Sequence, residues 1–465
     1  MSSSTSTACN VSANVTFIDL ATFGELDAFY YGGSDAVTWN VISVQKSSWF
    51  SFVPITLRQQ GIFDFGQRQV SVTLNRSGDY VLSVWFRMQL PQVELTGLDV
   101  GSDATIRWTR NFMHNIFEKV SISHNELVVH EFDNFWLDFV YQFSLPASKR
   151  IGYRNMIGDV SALTSPVLPN TPLGTGGFLS VPLPFWFTAD SGVALPVAAL
   201  PFNEIRVNYC FRNWQDLIVL DLGTTGGTIA TKNTNIRQVN TDAVPAMVQP
   251  ETYAHYSVVH NDERVKMGDA PRDMPCIQTQ MVSATPVNTT LSVQEYDIRL
   301  SHSIIQWFYV YRNRSTEGEF SNYTSEPNYT GLDPISQSRM QYESTDRVAM
   351  GSDYYSLIAP YYYAKAIPDQ TGYHMYSYAL HPWKCAKPSG STNFSKLANV
   401  RMIHTLSQAA VNASAAAPVD QDGDPITRNT GTTPEAFPQR FEHIFQAANW
   451  NVVRVANGSL GQPVL

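Results

Sequence analysis

Period-two alternation of apolar and polar residues runs through most of this 465-residue chain and predicts strands. In "VSVTLNRSGDYVLSVWFRMQLP", Val70, Val72 and Leu74 alternate with polar residues and a turn falls at Arg76–Asp79. After it, Tyr80, Leu82, Val84, Phe86 and Met88 form a second apolar face. "IFEKVSISHNELVVHEF" predicts a hairpin turning near His124–Asn125. "ETYAHYSVVH", "YDIRLSHSIIQWFYVYRN" and "NWNVVRVANGSL" are rich in β-branched and aromatic residues and predict further strands. Helical patterning is sparse. "DNFWLDFVYQF" places Phe135, Trp136, Phe139, Val140 and Phe143 on one face, behind Asp133 or Asn134 as cap, and "ASKRIGYRNMIGD" predicts a second short helix. Many short strands with few helices make a β-sandwich pattern, not one of βαβ units.

Phe178 to Val207, "FLSVPLPFWFTADSGVALPVAALPFNEIRV", is apolar over a length that could span a bilayer. Pro196 and Pro201 would break a continuous helix, and Asp190 would be costly in lipid. The stretch is therefore read as core: an aromatic strand, a turn, and a proline-punctuated run leading to another strand. Three long segments near 223–245, 313–336 and 409–434 are expected to be exposed insertions. "HNDERVKMGDAPRD" predicts a short helix and turn, and a domain boundary is expected there, near residue 262.

The two halves echo each other. "PFWF" leads through Ser191-Gly192 to "NEIRV"; "MYSYAL" leads through "PSGSTNFSKLA" to "NVRM", so Arg206 and Arg401 fall in comparable strands. Trp85-Phe86 and Trp307-Phe308 likewise each sit inside a strand, eight or nine residues after Arg76 and Arg299.

Composition narrows the function. Charged residues make up 15% of the chain and aromatics 12%, which fits a protein that hides much of its surface in partners and also fits a secreted β protein with uncharged loops. The formal net charge is −9 with no basic run, so direct nucleic-acid binding is not expected. Cys9, Cys210, Cys276 and Cys385 are far apart, without metal-binding spacing, and are expected to be reduced thiols of a cytosolic protein. The N-terminus has no signal-peptide pattern, so ten Asn-x-Ser/Thr sequons, among them Asn75, Asn313, Asn322, Asn328 and Asn393, read as a by-product of Asn-rich loops.

No stretch carries a recognisable catalytic chemistry. "DQDGDP", Asp420 to Pro425, lacks the glycine position and final glutamate of a calcium loop and reads as a solvated acidic turn. In "HNDER", His260 to Arg264, the acids suit the first turn of a helix. His114, His124 and His130 match no metal spacing. Nucleophile elbows, phosphate loops and dinucleotide fingerprints are absent. "PYYYA", Pro360 to Ala364, could stack on sugars in an adhesin or pack a subunit interface, and a sandwich glycosidase would need only two carboxylates. No catalytic, metal or cofactor residue is assigned.

"LPFWFTADSGVALPVAALPFNEIRV" resembles a segment of the major capsid proteins of nucleocytoplasmic large DNA viruses, and the iridovirus proteins are most similar. The resemblance runs along the chain: "TFIDLAT" (Thr16 to Thr22), "YGGSDAVTW" (Tyr31 to Trp39), "RSGDYVL", "IRWTRNFMHN", "GYRNMIGDVSAL", "DERVKMG", "DIRLSHSI", "MGSDYYSLIAPYYYA" and the C-terminal "NWNVVRVANGSLGQPVL". The resemblance departs at Thr16, where the family often has Gly, and in the three insertions. It implies an all-β chain of two tandem eight-stranded antiparallel jelly rolls with a few short helices and long loop insertions. An N-terminal arm would cover residues 1–42, the first roll 43–262 and the second 263–465. Phe185–Phe187 and Asn203–Asn208 would be neighbouring strands, with "DSGVALPVAALP" a helical connection over the end of the core. It further implies a homotrimeric capsomer tiling an icosahedral shell, in a virion made and assembled in the host cytoplasm. Its partners would be neighbouring capsomers, minor capsid proteins and the internal viral membrane through the arm, and host surfaces through the outer loops.

Overall fold

The computed structural model describes residues 13–34, 36–37, 44, 46–97, 100–174, 177–223, 231–385, 387–429 and 434–462. Residues 1–12 (Cys9 among them), 35 and 38–42 of the expected arm, and the parts of the insertions at 224–230 and 430–433, lie outside the described residues.

The alternating patterns become two sets of eight principal strands. The first set is β1 (Phe50–Thr56), β2 (Val70–Thr73), β3 (Tyr80–Gln89), β4 (Phe117–His124), β5 (Leu127–Phe132), β6 (Phe178–Pro182), β7 (Ile205–Phe211) and β8 (Val248–Val259). They form two antiparallel sheets, β1-β8-β3-β6 and β2-β7-β4-β5, with the short strand Arg58–Gln60 beside β2. The second set is β9 (Arg272–Pro286), β10 (Val293–Asp297), β11 (Ser303–Asn313), β12 (Ile335–Tyr342), β13 (Thr345–Gly351), β14 (His374–Ser377), β15 (Val400–Leu406) and β16 (Phe441–Ala456). Its sheets are β9-β16-β11-β14 and β10-β15-β12-β13. Adding eight to every strand of the first set reproduces the order of the second. This is a double jelly roll.

Each roll closes by packing its two sheets face to face through inward residues. In the first, Phe86 of β3 lies 5.6 Å from Phe117 and 5.7 Å from Tyr209 of the opposite sheet, ring centre to ring centre. In the second, Tyr309 of β11 lies 4.7 Å from His404 of β15, and Tyr296 of β10 lies 4.0 Å from His443 of β16. The echoes between the halves land on equivalent strands: Arg206 on β7 and Arg401 on β15, Trp85-Phe86 on β3 and Trp307-Phe308 on β11. The tryptophan pairs point opposite ways. Phe86 faces the core of its own roll and Trp85 faces outward, whereas Trp307 faces inward and Phe308 outward.

Three local expectations change. The apolar face of β3 holds at Val84, Phe86 and Met88 but slips before them: His255 pairs with Ser83 and Tyr256 with Val81, so Leu82 is the extra residue of a bulge. Val81 therefore enters the main core, while Tyr80 and Leu82 pack on Ala194, Val259 and Met267. Secondly, Phe185–Phe187 is not a strand. The β6 ladder ends at Pro182, Pro184 can donate no backbone hydrogen bond, and Trp186–Thr188 forms a 3-10 turn with Trp186 and Phe187 buried. Nor are the two segments neighbours, because β6 and β7 belong to opposite sheets. The connection between them does cover the core end, as expected: Ser191–Val193 and Val197–Ala199 are 3-10 turns, and Leu195 is fully buried with a bridge to Val81. Thirdly, 313–336 is no exposed insertion. Glu319 to Glu326 is buried throughout, because it lies against the first roll and makes the hydrogen bonds described below.

The hairpin turns where expected, with Asn125 at φ 54°. Helix α3 (Asn134–Phe139) begins at Asp133, whose side chain accepts from the Trp136 amide at 2.9 Å, and runs on as a π turn, Val140–Ser144. Helix α4 (Arg150–Ile157) ends at Gly158 with φ 86°. Helix α5 (Asn261–Asp269) joins the rolls, and α6 (Ala359–Tyr363) follows another π turn, Tyr354–Ile358. The described residues before Phe50 form a unit of their own, with helices α1 (Ala13–Ala21) and α2 (Glu25–Tyr30) exposing Phe17, Ile18, Leu20, Leu26 and Phe29.

Candidate functional site

The most elaborate arrangement in the chain is the joint between the rolls, and β11 builds it. The run "SIIQWFYVY" is apolar without alternation because both faces of its sheet are covered. Trp307, Tyr309 and Tyr311 enter the core of the second roll, while Phe308 and Val310 point at the first. The aromatic face of α3 and its π turn covers them: the rings of Trp136, Phe139 and Phe143 lie 5.7, 5.3 and 5.2 Å from Phe308. Gln446 of β16, paired with Phe308, donates to Asp133 at 2.6 Å and so reaches the N-terminus of α3.

Around this apolar contact lies a largely hydrogen-bonded polar shell, in which Asn111 Oδ1 and Arg312 Nε have no partner among the described residues. Buried Asp138 accepts from Asn111 (3.2 Å) and from Tyr323 of the second roll (2.9 Å), and His114 Nδ1 stands 2.6 Å from it. The other nitrogen of His114 is 2.9 Å from the Tyr153 hydroxyl. Arg107 and Glu319 form a buried ion pair across the joint, and Asn115 donates to Ser321 at 3.1 Å. The guanidinia of Arg212 and Arg312 both lie over the Phe320 ring, 3.9 and 4.5 Å from its centre. Burial, with the charge of Arg312 beside it, lowers the pKa of Arg212 to about 10. A His–Asp pair with no nucleophile except a tyrosine, whose ionisation burial strongly opposes, does not make a catalytic triad. The shell locks residues 319–326 onto the first roll.

The candidate residues do not converge. His114 belongs to the joint. His124 is buried with neither ring nitrogen hydrogen-bonded to protein, and burial lowers its pKa to about 4. His130 is also lowered to about 4 by burial and lies 3.1 Å from the Thr279 hydroxyl. His260 is exposed at the start of α5, with Asp262 and Glu263 in the first turn. In the Asp420–Pro425 loop, Asp420 turns its carboxylate back onto the amides of Asp422 (3.0 Å) and Asp424 (2.8 Å). Among the described residues no group of three His, Cys, Asp or Glu side chains is placed to hold a metal. Cys210, Cys276 and Cys385 are free thiols, and burial raises the first two to about 11 and about 12. Of the sequons, Asn313 and Asn322 are buried and hydrogen-bonded, whereas Asn75, Asn328 and Asn393 are exposed.

Sequence reasoning missed a histidine cluster in the second roll's core. His374, His404 and His443 are buried; His404 and His443 are 3.3 Å apart, and Tyr309 stacks between His374 and His404 with centroids 4.7 Å from each. The inward positions of His404 in "VRMIHTL" and of His443 in "FEHIF" were the available signal. The apolar half of the joint also had one, the unbroken run in β11. Among the described residues, no helix is long and apolar enough to cross a membrane.

The joint packs two rolls of the same eight-strand order against each other, and together they define a double jelly-roll protein. Comparison with known proteins agrees. Residues 38–258 match the family model described as major capsid protein N-terminus, and 263–461 match large eukaryotic DNA virus major capsid protein. The chain is 42% identical over 474 aligned positions to the major capsid protein of Costelytra zealandica iridescent virus, covering 98% of this chain and 99% of that one. It is 37% identical to that of Rana tigrina ranavirus, covering 97% of each. Among solved structures, the PBCV-1 virus capsid superposes with TM-score 0.69 at 19% identity, over 92% of this chain and 100% of that one. The Faustovirus major capsid protein superposes with TM-score 0.67 at 12% identity, over 95% and 96%. The chain belongs to the major capsid proteins of large eukaryotic DNA viruses, and its relatives named here are iridovirus proteins. It is a structural protein of the virion capsid and not an enzyme.

Proposed function

We propose that three copies of the chain form a pseudo-hexagonal capsomer that tiles the outer icosahedral shell of a large double-stranded DNA virus. The observation that supports it is the repetition of one strand order in both rolls. Three chains then present six similar units around a threefold axis, an outline that packs edge to edge into flat facets. In this reading residues 1–42 are an arm facing the shell interior, 43–262 the first roll and 263–465 the second. The apolar residues exposed on α1 and α2 suit contact with minor capsid proteins or the internal membrane. Outer loops near 223–245 and 409–434 face the host, assembly takes place in the host cytoplasm, and no nucleic acid is bound directly.

The test is the solution mass by size-exclusion chromatography with light scattering. Three chains of 52.0 kDa give about 156 kDa. A species of that mass, unmoved by added salt, supports a capsomer held by apolar contacts. A 52.0 kDa monomer refutes self-sufficient trimerisation.

A further inference from the structure

Among the described residues from Phe50 onward, the duplication leaves two surfaces unpaired. Inside the chain, the helical segment between β5 and β6 (α3 and its π turn) covers the outward face of the second roll's β9-β16-β11-β14 sheet. The same two parts recur with roles exchanged. The second roll carries an equivalent helical segment between β13 and β14, again a π turn joined to an α-helix (Tyr354–Ile358 and α6). Both segments open on the same Asp-x-aromatic-x-Leu pattern, Asp133 to Leu137 and Asp353 to Leu357. Yet α3 buries its aromatics, while the second segment leaves Leu357, Ile358, Tyr361 and Tyr362 exposed, the two tyrosines at 69%.

Among the described residues from Phe50 onward, no α-helix packs on β1, β8 or β3 of the equivalent sheet face of the first roll, on β1-β8-β3-β6, beyond the end where Met267 of α5 meets Tyr80 and Val259. This face is aromatic: Phe50 and Phe52 are exposed on β1, His255 stacks edge-on to Phe52 at 6.1 Å, and Trp85 stacks on Tyr253 at 5.4 Å. At its far edge Arg87 lies over exposed Phe178, 3.8 Å from the ring centre. Trp85 here and Phe308 in the second roll are both outward aromatics on equivalent strands, and only Phe308 has a helix over it.

We propose that this face of the first roll receives the Tyr354–Tyr363 segment of a second copy of the chain, repeating between subunits the joint already formed within one. The contact is head-to-tail: each chain offers one helical segment and one sheet face, and the series closes into a ring. The proposal rests on the trimer reading above and names the surfaces that make it. Because the residues concerned are exposed, charge can be introduced there without disturbing either core.

Tyr361→Glu and Phe52→Glu test it, each checked for wild-type circular dichroism and then measured by light scattering. Each variant alone is expected at the single-chain mass of 52.0 kDa. Mixed one to one, they are expected to give a two-chain species of about 104 kDa, because each keeps the half that the other has lost. Retention of the three-chain mass by both variants overturns the proposal and leaves the trimer standing. Dissociation of both without recombination overturns the head-to-tail geometry. A trimer lost on removing residues 1–49 but kept by both variants assigns the sheet face to the arm instead. A monomeric wild type defeats the trimer reading, and this proposal with it.

Discussion

Acid should unfold this protein through its buried histidines. His124 and His130 are held by burial at a pKa of about 4 and His443 at about 3, against 6.5 for an exposed histidine. All three are neutral in the fold, and the unfolded chain takes up a proton at each as pH drops through 6.5. The stabilisation from neutral burial is therefore fully present above that value and is lost as pH falls toward the folded-state values. At pH 5 each site lies 1.5 units below 6.5, which at about 1.4 kcal/mol per unit is about 2 kcal/mol, or about 6 kcal/mol for the three. His404, whose pKa burial and the two neighbouring histidines depress further, adds in the same direction. Whole-domain stabilities are about 5–15 kcal/mol, so this is a large share. The assay is equilibrium urea unfolding by tryptophan fluorescence at one protein concentration, at pH 7.5, 6.0 and 5.0. His124→Leu sharpens it: the ring has no protein hydrogen bond to lose, so neutral-pH stability should hold while the loss at pH 5 shrinks by about 2 kcal/mol. A wild-type loss below about 1 kcal/mol between pH 7.5 and 5.0, or a His124→Leu loss equal to wild type, would refute the reasoning.

Leu195→Ala should cost about 2–5 kcal/mol in urea unfolding, since Leu195 is fully buried where the 3-10 connection closes the first core. Leu195→Asp should yield insoluble protein; a soluble trimeric mutant would contradict the burial. Phe308→Ala, which empties the contact of three aromatic rings at the joint, should cost about 3–5 kcal/mol and separate the two rolls into distinct unfolding steps in calorimetry. Limited proteolysis should cut at the exposed turns 240–244 and 421–425 and spare 319–326; early cleavage in the latter would overturn its placement in the joint. Deleting residues 1–42 should leave the trimer mass unchanged and impair shell assembly in a reconstitution assay; loss of the trimer would contradict the arm's proposed role.

Much of the fold was legible because strand pairing obeys a local rule. Val70, Val72 and Leu74 face one way since side chains alternate along a strand, and Asn125 marks a turn since Asn tolerates positive φ. Capping at Asp133 and the proline-broken run at 182–201 could be read for the same reason: Pro and Asp act within a few residues of themselves. The bulge at Leu82 could not be read. Which residue of β3 is unpaired depends on β8, far along the chain, and a one-residue slip exchanges the faces of Val81 and Leu82. Residues 313–336 misled for a related reason. Asn, Ser, Thr and Glu read as solvent-facing until the first roll supplies Arg107, Asn115 and Asp138 as partners.

The sequence by itself determined that the chain is built of strands and that its halves echo one another. These follow from local periodicity and from residue types. Tertiary structure alone decided which face of β11 looks outward, where Glu319 to Glu326 is buried, and that α3 covers one sheet while its counterpart stays bare. Those outcomes depend on contacts between residues far apart in the chain, and burial gives a polar or apolar side chain its meaning only once the neighbour is in place.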